Sequence, residues 1–188
     1  GLSGFSYASG YIGFLWIFHI TDGLNDGPIY CELVSSRDGI SWVREQAVDG
    51  ERIPILPVGP KGAWDQGMVF TPNHPLMDKD SIRLWYGGSG VTHGSDDDSA
   101  RSSIGLATLR KDGFASIDAG GAVGTLTTKP LKNLRGLLFV NANARAGSLK
   151  VEVLTENGKV LSGFSSGECN VIHGDGTALR ISWQKHQR

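Results

Sequence analysis

Apolar residues fall along this chain in short runs broken by Gly, Asn, Asp and Pro. No long window places them at i, i+3, i+4 and i+7 between caps, so the pattern predicts strands and turns, not helices. Tyr11–Ile20 (YIGFLWIFHI) is the most apolar run. It is far shorter than the roughly 20 residues a bilayer span takes, and it has neither a basic leader nor a cleavage site. It reads as a buried strand. A turn over Asp22–Gly27 leads to a strand over Pro28–Ser35, and Asp38-Gly39 makes a tight turn into Ile40–Glu45. Arg52–Gly62 is a Pro/Gly-rich crossing. Gly67–Pro72 and Ile82–Tyr86 are strands around a polar turn at Met77–Ser81. A Gly/Ser/Asp loop, Gly87–Ser99, precedes a strand over Ser102–Leu109 and the turn Lys111-Asp112-Gly113.

Two similar units emerge. Each has an aromatic strand, a polar loop and a second strand ending in an -Asp-Gly- turn, followed by a short strand. SSRDGISW in the first matches LRKDGFAS loosely in the second. Repeats of about 40 to 50 residues with several strands each are how propeller blades look in sequence. Past about Gly120 aromatics thin out and alternation sharpens. Leu126–Leu131, Gly136–Ala142, Ser148–Thr155, Lys159–Ser162 and Ala178–Trp183 read as strands, with Glu156-Asn157-Gly158 as a hairpin turn. Leu149, Val151 and Val153 face a core while Lys150, Glu152 and Leu154 face away, the pattern of an antiparallel sandwich with one wet face. The reading is therefore all-β: blade-like sheets over residues 1–118 and a sandwich-like region, short for a complete sandwich, over 119–188.

Composition agrees. Glycine supplies 27 of 188 residues, about twice its usual share of ~7%, as a protein of many tight turns needs. Net charge is −1 with both signs intermixed, so neither a nucleic acid nor an anionic membrane is indicated as a partner. Cys31 and Cys169 belong to no Cys-x-x-Cys pair. Two free buried thiols are favoured over one disulfide, and the compartment is not readable from them.

The segments YIGFLWIFH, SSRDGISW, RIPILPVGPKGAWDQGMVF, LWYGGSGVTHG and IGLATLRKDGFASIDAG resemble, in order and spacing, the later blades of five-bladed propellers. These are related to glycoside hydrolase family 32 (invertase and fructanase-like) and to the family 43 arabinan and xylan enzymes. TLTTKPL through LLFVNANA and LKVEVLTENGKVLSGFS resembles the β-sandwich appended to such propellers. The resemblance implies carbohydrate as partner and glycosidase-like carboxylates. It also implies a fragment, or a shortened relative, because the chain holds about two blades and lacks the first-blade Asp of the Asn-Asp-Pro-like motif. An open propeller wedge leaves unpaired strand edges, which predicts self-association. A lectin-like module and a non-catalytic interaction protein are the alternatives.

Asp65, in Trp64-Asp65-Gln66-Gly67 just before a strand, is the leading acid: a catalytic or substrate-binding carboxylate, or a turn Asp capping backbone N–H groups. Glu32 is the second catalytic candidate, since glycosidases need two carboxyl groups about 5 to 10 Å apart; otherwise it is an exposed edge residue. His93 is suited to a sugar hydroxyl or to orienting a carboxylate. Trp64, Trp85 and Tyr86 offer flat faces to a sugar ring, or serve as core. Trp16 and Trp42 are assigned to core, with Trp42 closing a structural Asp-containing turn like those of sialidase-type blades, and His19 is expected to be partly buried. Asp96-Asp97-Asp98 reads as a solvated charge run, not a calcium loop. No His, Cys or acid spacing fits a metal, and no motif calls for a cofactor.

Overall fold

The computed structural model describes residues 1–21, 25–97, 101–132 and 135–186. Residues 22–24 of the expected first turn, Asp98 of the acidic run and the last two residues lie outside this set. Every regular element among the described residues is a β-strand, so the all-β reading holds. They fall into two compact units, Gly1–Phe114 and Ala115–Arg188.

The first unit contains β1 (Leu2–Tyr7), β2 (Gly10–Phe18), β3 (Ile29–Ser36), β4 (Trp42–Arg44), β5 (Pro54–Leu56), β6 (Met68–Phe70), β7 (Leu76–Met77), β8 (Ser81–Ser89) and β9 (Ser102–Arg110). Strand β3 organises it. One edge pairs with β2 from Ile29 to Ser36. The other edge is divided among three short strands: β4 at Val34–Ser36, β5 at Cys31 and Glu32, and β6 at Ile29. The β6 contact is parallel and joins β1–β5 to an antiparallel group in which β8 pairs with β6, β7 and β9. The continuous apolar pattern of β3 follows from this position, since Cys31, Glu32, Leu33 and Val34 are all buried.

At the β3–β6 joint the sheet folds over, bringing Phe5, Phe14 and Cys31 against Val69 and Leu84, with Phe114 packed beside them. Thr71, just past β6, helps hold the fold: its hydroxyl accepts the Trp16 indole N–H at 3.0 Å and its carbonyl accepts the Ser3 hydroxyl at 3.5 Å. Trp16 belongs to this core, as the sequence suggested. Cys31 is free, and burial pushes its thiol up to about 12, so it stays protonated. Cys169 is also free and buried.

Strands β1 and β5 were not evident in the sequence. In LSGFSY only Ser3 and Phe5 are fully buried, so small polar residues mask the alternation. PIL lies inside the Pro/Gly-rich crossing. His19 is exposed, not partly buried; its strand stops at Phe18.

The two -Asp-Gly- turns are built differently. In the first, Asp38 Oδ1 accepts the N–H groups of Ile40 and Ser41 at 2.8 and 2.7 Å, Gly39 takes the left-handed backbone at φ +74°, and the Trp42 indole donates to the Gly39 carbonyl at 3.2 Å. This is the structural turn expected there. In the second, Asp112 itself is left-handed at φ +57°, and its carboxylate accepts the Tyr7 hydroxyl of β1. Strand β4 follows the first turn. After the second the chain runs to Phe114, which packs on Phe5 and Tyr7.

In the second unit β10 (Leu138–Leu149) pairs antiparallel with β11 (Ile172–Ile181), with irregularities at Val140/Ala142 and Ala144/Leu149. Cys169, Ile172, Ile181 and Trp183 form its core, and Leu149, Val151 and Val153 pack against it as their alternation predicted. The Asn157-Gly158 turn is present, with Thr155 N–H donating to the Lys159 carbonyl at 2.8 Å. Leu126–Leu131 is not a strand: Leu126 and Leu131 are exposed, with nothing to cover them, and Pro130 interrupts the run.

The buttressed Asp38 sits at about 2, held below its ordinary 3.8 chiefly by the Ser41 and Ile40 N–H groups and then by Ser36. The folded state therefore binds this proton more weakly than the unfolded chain, and its stabilising contribution is present above pH ~4 and lost as pH falls towards 2. Denaturant titrations between pH 5 and pH 2 should show a shallower acid limb for Asp38→Asn than for the wild type. An unchanged slope would contradict this assignment.

Candidate functional site

Residues 59–66 form a tight loop between β5 and β6. Gly59 N–H donates to the Asp65 carbonyl at 3.1 Å, and Ala63 N–H to the Pro60 carbonyl at 2.9 Å. The Gln66 amide fastens this loop in two directions. Its Oε1 accepts Gly62 N–H at 2.6 Å, and its Nε2 donates to the Gly90 carbonyl at 2.9 Å. Gly90 lies just past β8, where the antiparallel β6–β8 register puts it beside the loop. One side chain thus ties together both segments that leave this end of the hairpin.

The loop delivers Trp64 and Asp65 to Tyr86 of β8. The Tyr86 hydroxyl donates to Asp65 Oδ2 at 2.7 Å, and the Tyr86 ring stacks on the Trp64 indole, centroids 5.7 Å apart and planes 21° apart. Asp65 is 9% exposed and Trp64 41%, so a largely enclosed carboxylate sits next to an open aromatic surface. Two glycines make the close approach possible. A Cβ at Gly88 would lie 2.7 Å from the Trp64 ring and 2.8 Å from Asp65 Cβ; one at Gly105 of β9 would lie 2.5 Å from the Tyr86 ring. Burial, then the hydrogen bond to Asp65 and its negative charge, pushes the Tyr86 phenol up to about 12.

Beside this group lies a cavity of about 430 Å³, lined among others by Lys61, Gln66, Gly90, Thr92 and Ser95. Trp64, Asp65 and Tyr86 do not line it, but the loop that carries Trp64 and Asp65 also carries Lys61 and Gln66. Its opposite wall, residues 91–95, is stapled by Asp26, whose Oδ1 accepts Gly94 N–H at 2.8 Å and Gly27 N–H at 2.7 Å. The Thr92 hydroxyl, followed by these N–H groups, holds Asp26 below the usual carboxylate range.

The structure thus brings Trp64, Asp65 and Tyr86 together and leaves two sequence candidates elsewhere. Glu32 is neither an exposed edge residue nor a partner for Asp65. It is 3% exposed, and the Arg44 guanidinium of β4 holds its carboxylate with contacts of 2.7 and 2.8 Å. It lies three residues past the Ile29–Met68 bridge, whereas Asp65 lies three residues before it. Its pairing with Arg44 is what a buried charge on a central strand requires. His93 is exposed, and its ring turns to Phe18, centroids 4.8 Å apart, while its neighbour Thr92 lines the cavity. Trp85 lies on the outer face of β8, 46% exposed, opposite Leu106 of β9. Gln66, Lys61 and Asp26 carry no role in the sequence reading. Gln66 adjoins the Asp65 motif, but the long-range bond to Gly90 that gives it weight has no local signature. Among the described residues no three His, Cys, Asp or Glu side chains group as a metal site would need.

No protein-family model matches the chain, and the comparison with curated proteins finds no match.

Because folding favours the neutral phenol, Tyr86 adds stability that is complete below pH ~10 and lost as pH rises towards 12. Ultraviolet titration of tyrosinate, with Tyr86→Phe as the difference control, should find one phenol ionising near pH 12. Asp65→Asn should return it towards 10. A Tyr86 titration unmoved by that substitution would rule out the Asp65 contact in solution.

Proposed function

We propose that the first unit is a pair of blades of a carbohydrate-active β-propeller of the glycosidase type, and that Trp64, Asp65 and Tyr86 form one wall of its saccharide site. The second unit, with its β10–β11 pair, then corresponds to the appended sandwich. The observation that carries this reading is the contact set of Asp65: a carboxylate fixed by a phenol and flanked by an open, stacked indole. Carboxylate oxygens accept sugar hydroxyls, and an aromatic face takes the apolar C–H face of a pyranose or furanose ring. The strand order supports it too, since β1–β2–β3–β4 and β6–β8–β9 are each antiparallel runs, the first with an -Asp-Gly- turn between β3 and β4 and the second followed by one after β9.

The role proposed is binding, with hydrolysis left to a site that has a second acid. Glycoside cleavage needs one protonated and one ionised carboxyl group about 5 to 10 Å apart. Glu32 is committed to Arg44, and Asp26 to Gly27, Gly94 and Thr92.

Calorimetric titration with a panel of arabino-, xylo- and fructo-oligosaccharides tests this. Trp64→Ala and Asp65→Asn should each weaken binding by about tenfold, as loss of a stacked face or a charge-assisted hydrogen bond does. Absence of binding across the panel would refute the reading. Turnover of aryl-glycosides that disappears in Asp65→Asn would replace binding with catalysis.

A second reading, self-association, is favoured by β9. Among the described residues it pairs only with β8, and its exposed Ile104 and Leu106 continue the apolar surface of Trp85. Light scattering on the eluted protein should then give a mass above that of one chain; a monomer at all concentrations would exclude it.

A further inference from the structure

The 430 Å³ cavity falls within the range of small-molecule sites, about 300 to 1,000 Å³. Its polar lining is mostly committed already. Both ends of the Gln66 amide are used, on Gly62 and Gly90. The Thr92 hydroxyl serves Asp26, and Ser95 Oγ accepts Asp97 N–H at 3.2 Å. Lys61 differs. Its ammonium has no hydrogen-bond or ion-pair partner among the described residues, although 19 acidic residues are available in the chain. The unspent chemistry of this cavity is therefore a single positive charge.

The backbone that bears this charge is held in place. Lys61 stands on the same short loop as Trp64 and Asp65, closed by the Gly59–Asp65 backbone bond and pinned to Gly90 through Gln66. The aromatic surface, the carboxylate and the Lys61 backbone consequently keep a fixed spacing, and the exposed Lys61 side chain reaches out from that fixed point. The neighbouring acid Asp26 stays ionised, but its charge is taken up by three donors (Thr92, Gly94 and Gly27), so it opposes an incoming anion less than a bare carboxylate would. The chain as a whole carries net charge −1, so no diffuse positive field would draw anions to it indiscriminately.

Resting on the carbohydrate reading above, we propose that the saccharide is anionic: a sugar ring lies at Trp64 and Asp65, and a negatively charged substituent on it or on the adjoining ring enters the cavity against Lys61. Carboxylate and sulfate share the chemistry Lys61 recognises, because an ammonium is a point charge and does not select the planar fork of a carboxylate.

The test is calorimetric titration of the full chain with size-matched neutral, uronate-containing and sulfated oligosaccharides. At least one anionic series should bind about tenfold more tightly than the neutral one, and whichever it is identifies the substituent. Lys61→Gln should bring that affinity down to the neutral level, Lys61→Arg should retain the preference, and raised salt should shrink it. Equal affinity for neutral and anionic ligands, or a preference that survives Lys61→Gln, overturns the anionic assignment and leaves the carbohydrate reading standing. Failure of every saccharide to bind overturns both.

Discussion

The first unit depends on how the second edge of β3 is shared. A strand normally gives each edge to one neighbour. Here one edge is apportioned among β4, β5 and β6, which pair with it over three residues, two and one. The bridge at Ile29 and Met68 is the point where two antiparallel groups become one sheet, and Ile29 N–H reinforces it by donating to the Gly67 carbonyl at 3.2 Å. The buried Glu32–Arg44 pair belongs to the same arrangement, because it ties β4 across β3 where the ladder is short. Such a pair adds little net stability once desolvation is counted, but removing one partner leaves an uncompensated buried charge.

The site follows from that joint. Because β6 is short and enters beside Ile29, the chain before it must turn tightly, and that turn is the loop bearing Lys61, Trp64, Asp65 and Gln66. Because β8 runs antiparallel to β6, Tyr86 and Gly90 arrive at the same end. The long-range bonds Tyr86–Asp65 and Gln66–Gly90 then convert two adjacent loops into one surface. Neither contact is strong alone: a neutral bond such as Gln66–Gly90 contributes about 1 kcal/mol, and one to a carboxylate such as Tyr86–Asp65 about 1.5 to 3 kcal/mol. Their effect is positional.

Much of this was legible in the sequence wherever a residue acts locally. The Asp38-Gly39 turn, the inward set Leu149, Val151 and Val153, and the strands on either side of Met77–Ser81 all rest on spacing a few residues long. Trp64, Asp65 and Tyr86 stand out in the sequence because they fall near the ends of two expected strands, and the structure brings the three into contact. The misreadings concern partners far away in the chain. Glu32 looks like a free acid until β4 brings Arg44 over it. The ring of His93 lies against Phe18, a contact between distant parts of the chain that the sequence does not announce. β1 was missed because Ser3 occupies a position whose burial only the completed sheet reveals, and Leu126–Leu131 was overread because alternation alone does not supply a covering layer.

Gly88 and Gly105 give the site an unusual kind of fragility. Neither touches a ligand or carries chemistry, yet the stacked rings occupy the space where their side chains would begin. Every missense change at either codon adds a Cβ, whatever residue results. At Gly105 the atom would push on Tyr86 from the edge strand and loosen its hold on Asp65. The damage would reach the carboxylate through a residue that no inventory of functional groups would include. In genetic terms the wall is specified as much by two absent methyl groups as by the three side chains that form it.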